Sequence, residues 1–320
     1  MSNPSVIIFG PTGSIGSTAA RVAQEQGAKV FLAMRDVGKS IPGLSPDQER
    51  EGGFERIQAD LSDTESIKAA VTKSGAKHAF IYLLFGVPEG MRSTIEALKS
   101  AGIEFVVFLS SSSVTVHSAS EDSLKSVPPS DFIAFSHAQV ENNLYNIFGK
   151  GGYVAVRPSY FSSNTLQWRS MVRAGEIKLV GPDVTFDYIV PSDISRVCAG
   201  FLVRGAKKPD GSPSPSSVTL CGPKVMSQRD AVAAIGKAIG KELSVKGVSP
   251  EEGVEVFKAN GIAENIARDL VRMFSSRVES KSELYEQSLY VEAAANIEKY
   301  SGQSSTELTQ WASEVKEQFL

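Results

Sequence analysis

A short apolar run, Val6–Phe9, breaks into Gly10-Pro11-Thr12-Gly13-Ser14-Ile15-Gly16, and a helical pattern, Ile15–Gln26, begins directly behind it. Glycine permits the tight turn out of a strand and lets backbone N–H groups approach a bulky anion. Three glycines alone are weak, but a G-x-x-G-x-x-G placed between a strand and a helix predicts the first unit of a doubly wound α/β sheet. In that unit Gly10, Thr12, Gly13, Ser14, Ile15 and Gly16 face a dinucleotide pyrophosphate at the helix N-terminus. A glycine turn without a ligand is the competing account.

The rest of the first half keeps that rhythm. Lys29–Met34, Phe54–Gln58, His78–Leu83, Phe105–Leu109 and Tyr153–Val156 read as strands. Between them, Thr64–Ser74, Met91–Ala101 and His137–Phe148 read as helices, so the sheet is parallel. Phe105–Leu109 is apolar throughout, as suits a strand covered on both faces. A polar loop, Ser118–Ser130, precedes the helix that contains His137. Beyond Pro158 the spacing predicts helices at Leu166–Ala174, at Ser192–Val203 behind a Ser-Asp cap, and at Ser227–Gly240. Val218–Cys221 predicts a strand returning to the main sheet, Gly205–Ser217 is a Gly/Pro/Ser loop, and 250–320 is mostly helical, ending in Thr306–Phe319. The division is therefore a Rossmann domain over 1–158, starting at the second or third residue, and a smaller, mostly helical substrate lobe over 159–320, interleaved with it.

With 320 residues, 42% hydrophobic, the chain can bury a large core. A net charge of −3 leaves no basic surplus for nucleic acid. No apolar run approaches the ~20 residues of a membrane span, and no signal peptide is legible, so a cytoplasmic protein is expected. The two cysteines, Cys198 and Cys221, lie in apolar runs and read as buried thiols; no metal site is expected. The sequence does not give the oligomeric state.

The second strand bears on the choice of dinucleotide. A site for NAD usually ends this strand in Asp or Glu, to bind the ribose hydroxyls. Here it ends Ala33-Met34-Arg35, with Lys39 four residues on, two cations suited to a 2′-phosphate and hence to NADP(H). Asp36 competes, since it is placed to reach the ribose instead. Asp60 and Leu61, past the third strand, are assigned to the adenine pocket, with a helix cap as the other account of Asp60. Leu83 and Leu84, at the end of the fourth strand, are assigned to the same cofactor edge.

GPTGSIG, AMRD, QADLSD and VRPSYFSSN together resemble the NmrA-like proteins, a branch of the atypical short-chain dehydrogenases that includes isoflavone-reductase-like enzymes. The resemblance implies a Rossmann lobe, a smaller C-terminal lobe, NADP(H) and a substrate cleft between them. It covers both reductases and redox sensors that bind the dinucleotide without turnover. It also implies that Pro158, Ser159, Tyr160, Phe161 and Asn164 form the nicotinamide-side loop.

The catalytic pattern departs from the better-known one. No Tyr-x-x-x-Lys occurs, and Phe135-Ser136-His137-Ala138-Gln139-Val140-Glu141 carries a histidine where isoflavone-type reductases carry a lysine. His137 is a candidate to pass a proton or to bind the nicotinamide ribose, against a merely satisfied histidine at a helix start. Ser110–Ser113 end the fifth strand, the edge where ligands bind, and Ser112 is the candidate drawn from them. Tyr160 is either a proton donor or a packing aromatic; His78 and His117 are structural or exposed.

Trp168, Met171, Phe257, Met273, Phe274, Tyr285 and Tyr290 supply the apolar cover of the second lobe. The leading expectation is an NADPH-dependent reductase of a C=O, C=N or activated C=C in a small, apolar or aromatic specialised metabolite. The alternatives are a dinucleotide-binding redox sensor and a non-redox isomerase or cyclase on the same cleft.

Overall fold

The computed structural model describes residues 4–117, 121–280 and 287–320. Alternation begins with β1 (Ser5–Phe9), α1 (Ser14–Glu25), β2 (Lys29–Met34), α2 (Pro46–Glu51), β3 (Glu55–Gln58), α3 (Thr64–Ser74) and β4 (His78–Tyr82). It continues through α4 (Arg92–Ser100), β5 (Phe105–Leu109), α5 (Ser113–His117), α6 (Phe132–Phe148) and β6 (Tyr153–Pro158). Then follow α7 (Arg169–Ala174), β7 (Glu176–Leu179), β8 (Thr185–Phe186), α8 (Pro191–Arg204), β9 (Ser217–Leu220) and β10 (Met226–Ser227). The last elements are α9 (Gln228–Ile239), β11 (Ser244–Gly247), α10 (Pro250–Ala259), α11 (Glu264–Ser280), α12 (Gln287–Ser301) and α13 (Leu308–Glu314).

Seven strands form one parallel sheet in the order β3-β2-β1-β4-β5-β6-β9, the Rossmann arrangement with its crevice where the order reverses between β1 and β4. Period-two alternation decides which helices each side chain meets. Val6 and Ile8 pack with Ala19, Ala23, Val197, Phe201 and Ile297 of α1, α8 and α12. Ile7 and Phe9 face the opposite side, with Ile67, Ile95, Leu98 and Leu144 of α3, α4 and α6. The sheet's edge strand β9 and its covering helices α8 and α12 all come from beyond residue 158, as the returning strand implied. A separate apolar cluster, from Tyr160 and Trp168 to Trp311 and Phe319, fills the later part of the chain.

Two local readings need correction. Helix α6 starts at Phe132, so His137 sits in its second turn and not at its start. Helix α8 is opened by Val190 and Pro191, not by a Ser-Asp cap; Asp193 instead accepts from Thr306 N–H at 2.7 Å and pairs with Arg196. Helix α2 is opened by a capping box between Ser45 and Gln48. Cys198 and Cys221 are both buried thiols, and His78 hydrogen-bonds the Leu202 carbonyl at 2.6 Å. Tyr285 and residues 118–120 lie outside the described residues, as does the side chain of His117. No helix among the described residues is long and apolar enough to cross a membrane.

Candidate functional site

The three loop glycines are glycine for different reasons. Gly10 has φ 73°, and a Cβ on it would meet the Tyr82 ring at 2.6 Å. A Cβ on Gly16 would lie 2.3 Å from the Gly10 carbonyl oxygen. Gly13 has ordinary extended backbone, and its nearest neighbour would be no closer than 3.5 Å. The chain itself therefore demands glycine at 10 and 16, while Gly13 leaves a cradle that a Cβ would fill. Helix α1 starts there with no side-chain cap and no acidic residue in its first turn. Gly13 and Ser14 are exposed, Thr12 is half-buried and Ile15 is core. The first-turn N–H groups thus open onto the crevice as an anion site.

Past β2, Arg35 and Lys39 are exposed. Arg35 is close enough to Asp60 and Tyr82 to act on both electrostatically. Asp36, the competitor for the ribose, has its Oδ1 engaged by the Gly38 N–H at 2.9 Å. Asp60 is not a helix cap: Asp63 caps α3, while Asp60 accepts from the Ser62 N–H and hydroxyl at 2.9 and 2.7 Å. Those bonds, aided by Arg35, hold its carboxyl below the usual range. Leu61 is buried under α4, its carbonyl accepting from Thr94 at 3.2 Å. Leu83 and Leu84 are half-buried at the end of β4, packed on the core.

At the far end of the crevice, α6 is fixed to the strands on either side of it. Glu141 is 1% exposed and receives Arg157 of β6 through Nε and Nη2, the latter at 2.6 Å. Ser110, at the end of β5, donates to the same carboxylate at 2.5 Å. Two residues on, Asn143 donates to the carbonyls of Glu89 and Gly90 at 2.7 and 3.0 Å. It thereby holds a run of three left-handed residues, Glu89, Gly90 and Met91, with φ 52°, 57° and 59°. Phe85, 48% exposed, stacks on Phe132 and meets the His137 ring edge-on at 6.4 Å. Glu141, Arg157 and Asn143 were not singled out from the sequence, because each partner lies 16 or more positions away.

Inside this frame His137 is half-buried, with Nδ1 2.8 Å from the Ile133 carbonyl. A carbonyl only accepts, so Nδ1 carries the hydrogen and Nε2 presents a lone pair. Burial lowers the imidazole's pKa below its ordinary value, against weaker opposition from the Ile133 bond and Glu141. The neutral ring can therefore accept a hydroxyl hydrogen at Nε2 but has no proton there to give. Of the serines, Ser110 serves Glu141, Ser111 and Ser113 bond each other at 2.9 Å, and Ser112 is buried with its N–H on the Pro158 carbonyl.

Pro158 is buried at the end of β6, Ser159 and Phe161 are half-buried, and Asn164 is exposed on a short 3₁₀ turn. Tyr160 points into the second cluster, 4.1 Å from Phe186 in a stack and edge-on to Tyr188. Burial pushes its phenol well up, which suits a packing aromatic more than an acid. The neighbouring joint is organised by Asp187, which was missed. Fully buried, it accepts from the N–H groups of Gly222 at 2.7 Å and Tyr160 at 3.3 Å, and from Ser159. Burial outweighs these bonds and raises its carboxyl to about 6.

Sheet order, crevice and uncapped α1 define a Rossmann-type α/β protein with an anion-ready first helix. The chain belongs to the NmrA-like family, which it matches over residues 2–318. It is 35% identical over 311 residues, 94% of this chain and 93% of the relative, to the nitrogen metabolite regulation-like protein bik4 of Gibberella fujikuroi. It is 23% identical to an NAD(P)H azoreductase of Xenophilus azovorans, over 84% of this chain and 86% of that protein. Its fold is shared with the NADPH-dependent quinone oxidoreductase QOR2 of Escherichia coli, solved with NADPH. There the TM-score is 0.70 at 18% identity, covering 97% of this chain and 99% of the other.

Proposed function

We propose that this chain binds NADP(H) along the crevice and uses it as a reductase of a small, apolar or aromatic molecule. The observation that carries the binding is Gly13, whose missing side chain nothing in the protein requires. The α1 N-terminus would hold the pyrophosphate, Arg35 and Lys39 the 2′-phosphate, and Asp60 the adenine side. Nicotinamide, when bound, supplies a hydride. His137 would orient the nicotinamide ribose by accepting from a hydroxyl at Nε2, while Phe85 and Phe132 offer an apolar wall beside it. With His137 neutral and Tyr160 packed away, the proton comes from water or a serine, or is not needed, as in reduction of an iminium. The names of the relatives, a quinone oxidoreductase and an azoreductase, support a flat unsaturated acceptor. The cytosol is the compartment this reading expects.

The absence of a strong acid beside the crevice among the described residues, together with the regulatory name of the bik4 relative, favours one second reading: a dinucleotide sensor without turnover. Calorimetric titration with NADPH, NADP⁺ and NADH tests the first step; equal affinity for NADH and NADPH rejects the assignment of Arg35. Loss of reduced-nicotinamide absorbance against quinones, azo dyes, imines, enones and ketones separates reductase from sensor. Silence across the panel, with a partner captured only in one redox state of the dinucleotide, favours the sensor.

A further inference from the structure

The loop that presents Arg35 and Lys39 is gripped from below through its main chain. Arg56 of β3 holds both carboxylate oxygens of Glu49 on α2, Nε at 2.7 Å and Nη2 at 2.5 Å. Its Nη1 turns the other way and donates to the carbonyls of Val37 and, at 2.9 Å, Lys39. Glu49 is buried at 8% exposure, so this guanidinium is oriented by a fixed partner. Asp36 completes the hold by accepting from the Gly38 N–H. The backbone from 36 to 39 is thus anchored at successive residues, while the side chains of Arg35 and Lys39 stay exposed. Among the described residues neither of these two cations enters an ion pair.

We propose that Arg56, oriented by Glu49, is a positioning residue that sets the preference for the 2′-phosphorylated dinucleotide. This rests on the 2′-phosphate reading of Arg35 and Lys39. A loose loop would have to be ordered each time a ligand engaged it, and that cost comes out of affinity. A gripped loop has lost that freedom in folding. The benefit goes only to a ligand that touches the loop, so it raises affinity for NADPH and leaves NADH, which lacks the phosphate, unaffected. Lysine cannot replace arginine here, because one ammonium cannot fork between a carboxylate and two carbonyls.

The test measures dissociation constants of NADPH and NADH for the full chain carrying Arg56→Met, Arg56→Lys or Glu49→Gln, by calorimetry, with thermal unfolding as a control. Arg56→Met should weaken NADPH about 3- to 10-fold, the size of ordering one rotamer-rich side chain, and leave NADH within about twofold. Arg56→Lys should not restore the ratio, and Glu49→Gln should lower it part of the way and supply the reading if Arg56→Met does not fold. An unchanged NADPH/NADH ratio, or equal weakening of both, overturns the proposal. Arg35→Ala is run alongside: if it leaves the ratio at the wild-type value, the 2′-phosphate reading itself has failed and the proposal falls with it. If Arg35→Ala lowers the ratio while the Arg56 variants do not, only the positioning role is lost.

Discussion

The ring of Tyr82, at the end of β4, occupies the space into which a Cβ on Gly10 would project, across the crevice between the two strands where the sheet order reverses. A Cβ on Gly10 would stand 2.6 Å from Cε1 of that ring, at a φ of 73°. Gly10→Ala should therefore cost roughly 2 to 4 kcal/mol of stability, from backbone strain and overpacking together. Gly13→Ala should cost under ~0.5 kcal/mol, since nothing is displaced, yet weaken NADPH by about tenfold or more by filling the cradle. Denaturant unfolding and cofactor titration on both variants check this. A Gly13→Ala protein that binds NADPH normally would remove the main support for the site.

The pair formed by Glu141 and Arg157 is buried on both sides, at 1% and 7% side-chain exposure. Removing one partner leaves a desolvated charge, so Glu141→Ala should destabilise by about 3–5 kcal/mol. The double variant Glu141→Leu with Arg157→Met should regain much of that loss, because the desolvation penalty disappears with the charges. Chemical denaturation of the two variants distinguishes a costly orphan from a strong pair.

Asp187 gives a pH dependence of defined sign. Its carboxyl titrates at about 6 in the folded protein, against ~3.9 in an unfolded chain. The folded state thus holds the proton more tightly, so stability falls as pH rises from about 4 to 6 and is level beyond it. The drop is of order 3 kcal/mol. Unfolding free energies of wild type minus Asp187→Asn, measured from pH 4 to 7, should decline over that interval. A difference that rises with pH would contradict the burial argument.

For His137 the expected behaviour is acceptance without donation. His137→Leu should weaken NADPH about 3- to 10-fold, the value of one hydrogen bond to a ribose hydroxyl. Wild-type affinity should hold constant above neutrality and fall only where the imidazole gains a proton, below the ordinary histidine range because burial lowers its pKa. Titrations at several pH values check this; an inflection above that range would show a histidine poised as an acid.

His137 also shows where sequence reasoning reached its limit. The glycine loop, the apolar strands and the returning strand were legible because each is written in local period or in a residue that only one backbone geometry needs. The candidate cation pair at 35 and 39 was legible for the same reason, lying directly past a strand. The start of α6 was not, because a polar, proline-bearing loop hides five residues of helix before His137. Those five residues supply the Ile133 carbonyl that takes up the Nδ1 hydrogen, so an error of one helical turn changed the chemistry assigned to the ring. Arg56 reaches the Val37 and Lys39 carbonyls 19 and 17 positions away, and Asp187 and Asn143 act on partners 27 to 54 positions away, pairings that no local pattern records.

Strand β9 pairs Ala155–Pro158 with Ser217–Leu220, and the helices α8 and α12 over that face also come from beyond residue 158. A gene fragment ending at residue 158 would therefore encode a sheet with a bare apolar flank and an open edge at β6. The dinucleotide half cannot be lifted out and recombined with a foreign partner at a single splice point. Shuffling among relatives would need several coordinated crossovers. Diversity in such a chain is expected to accumulate instead by replacement of individual side chains around a frame inherited whole.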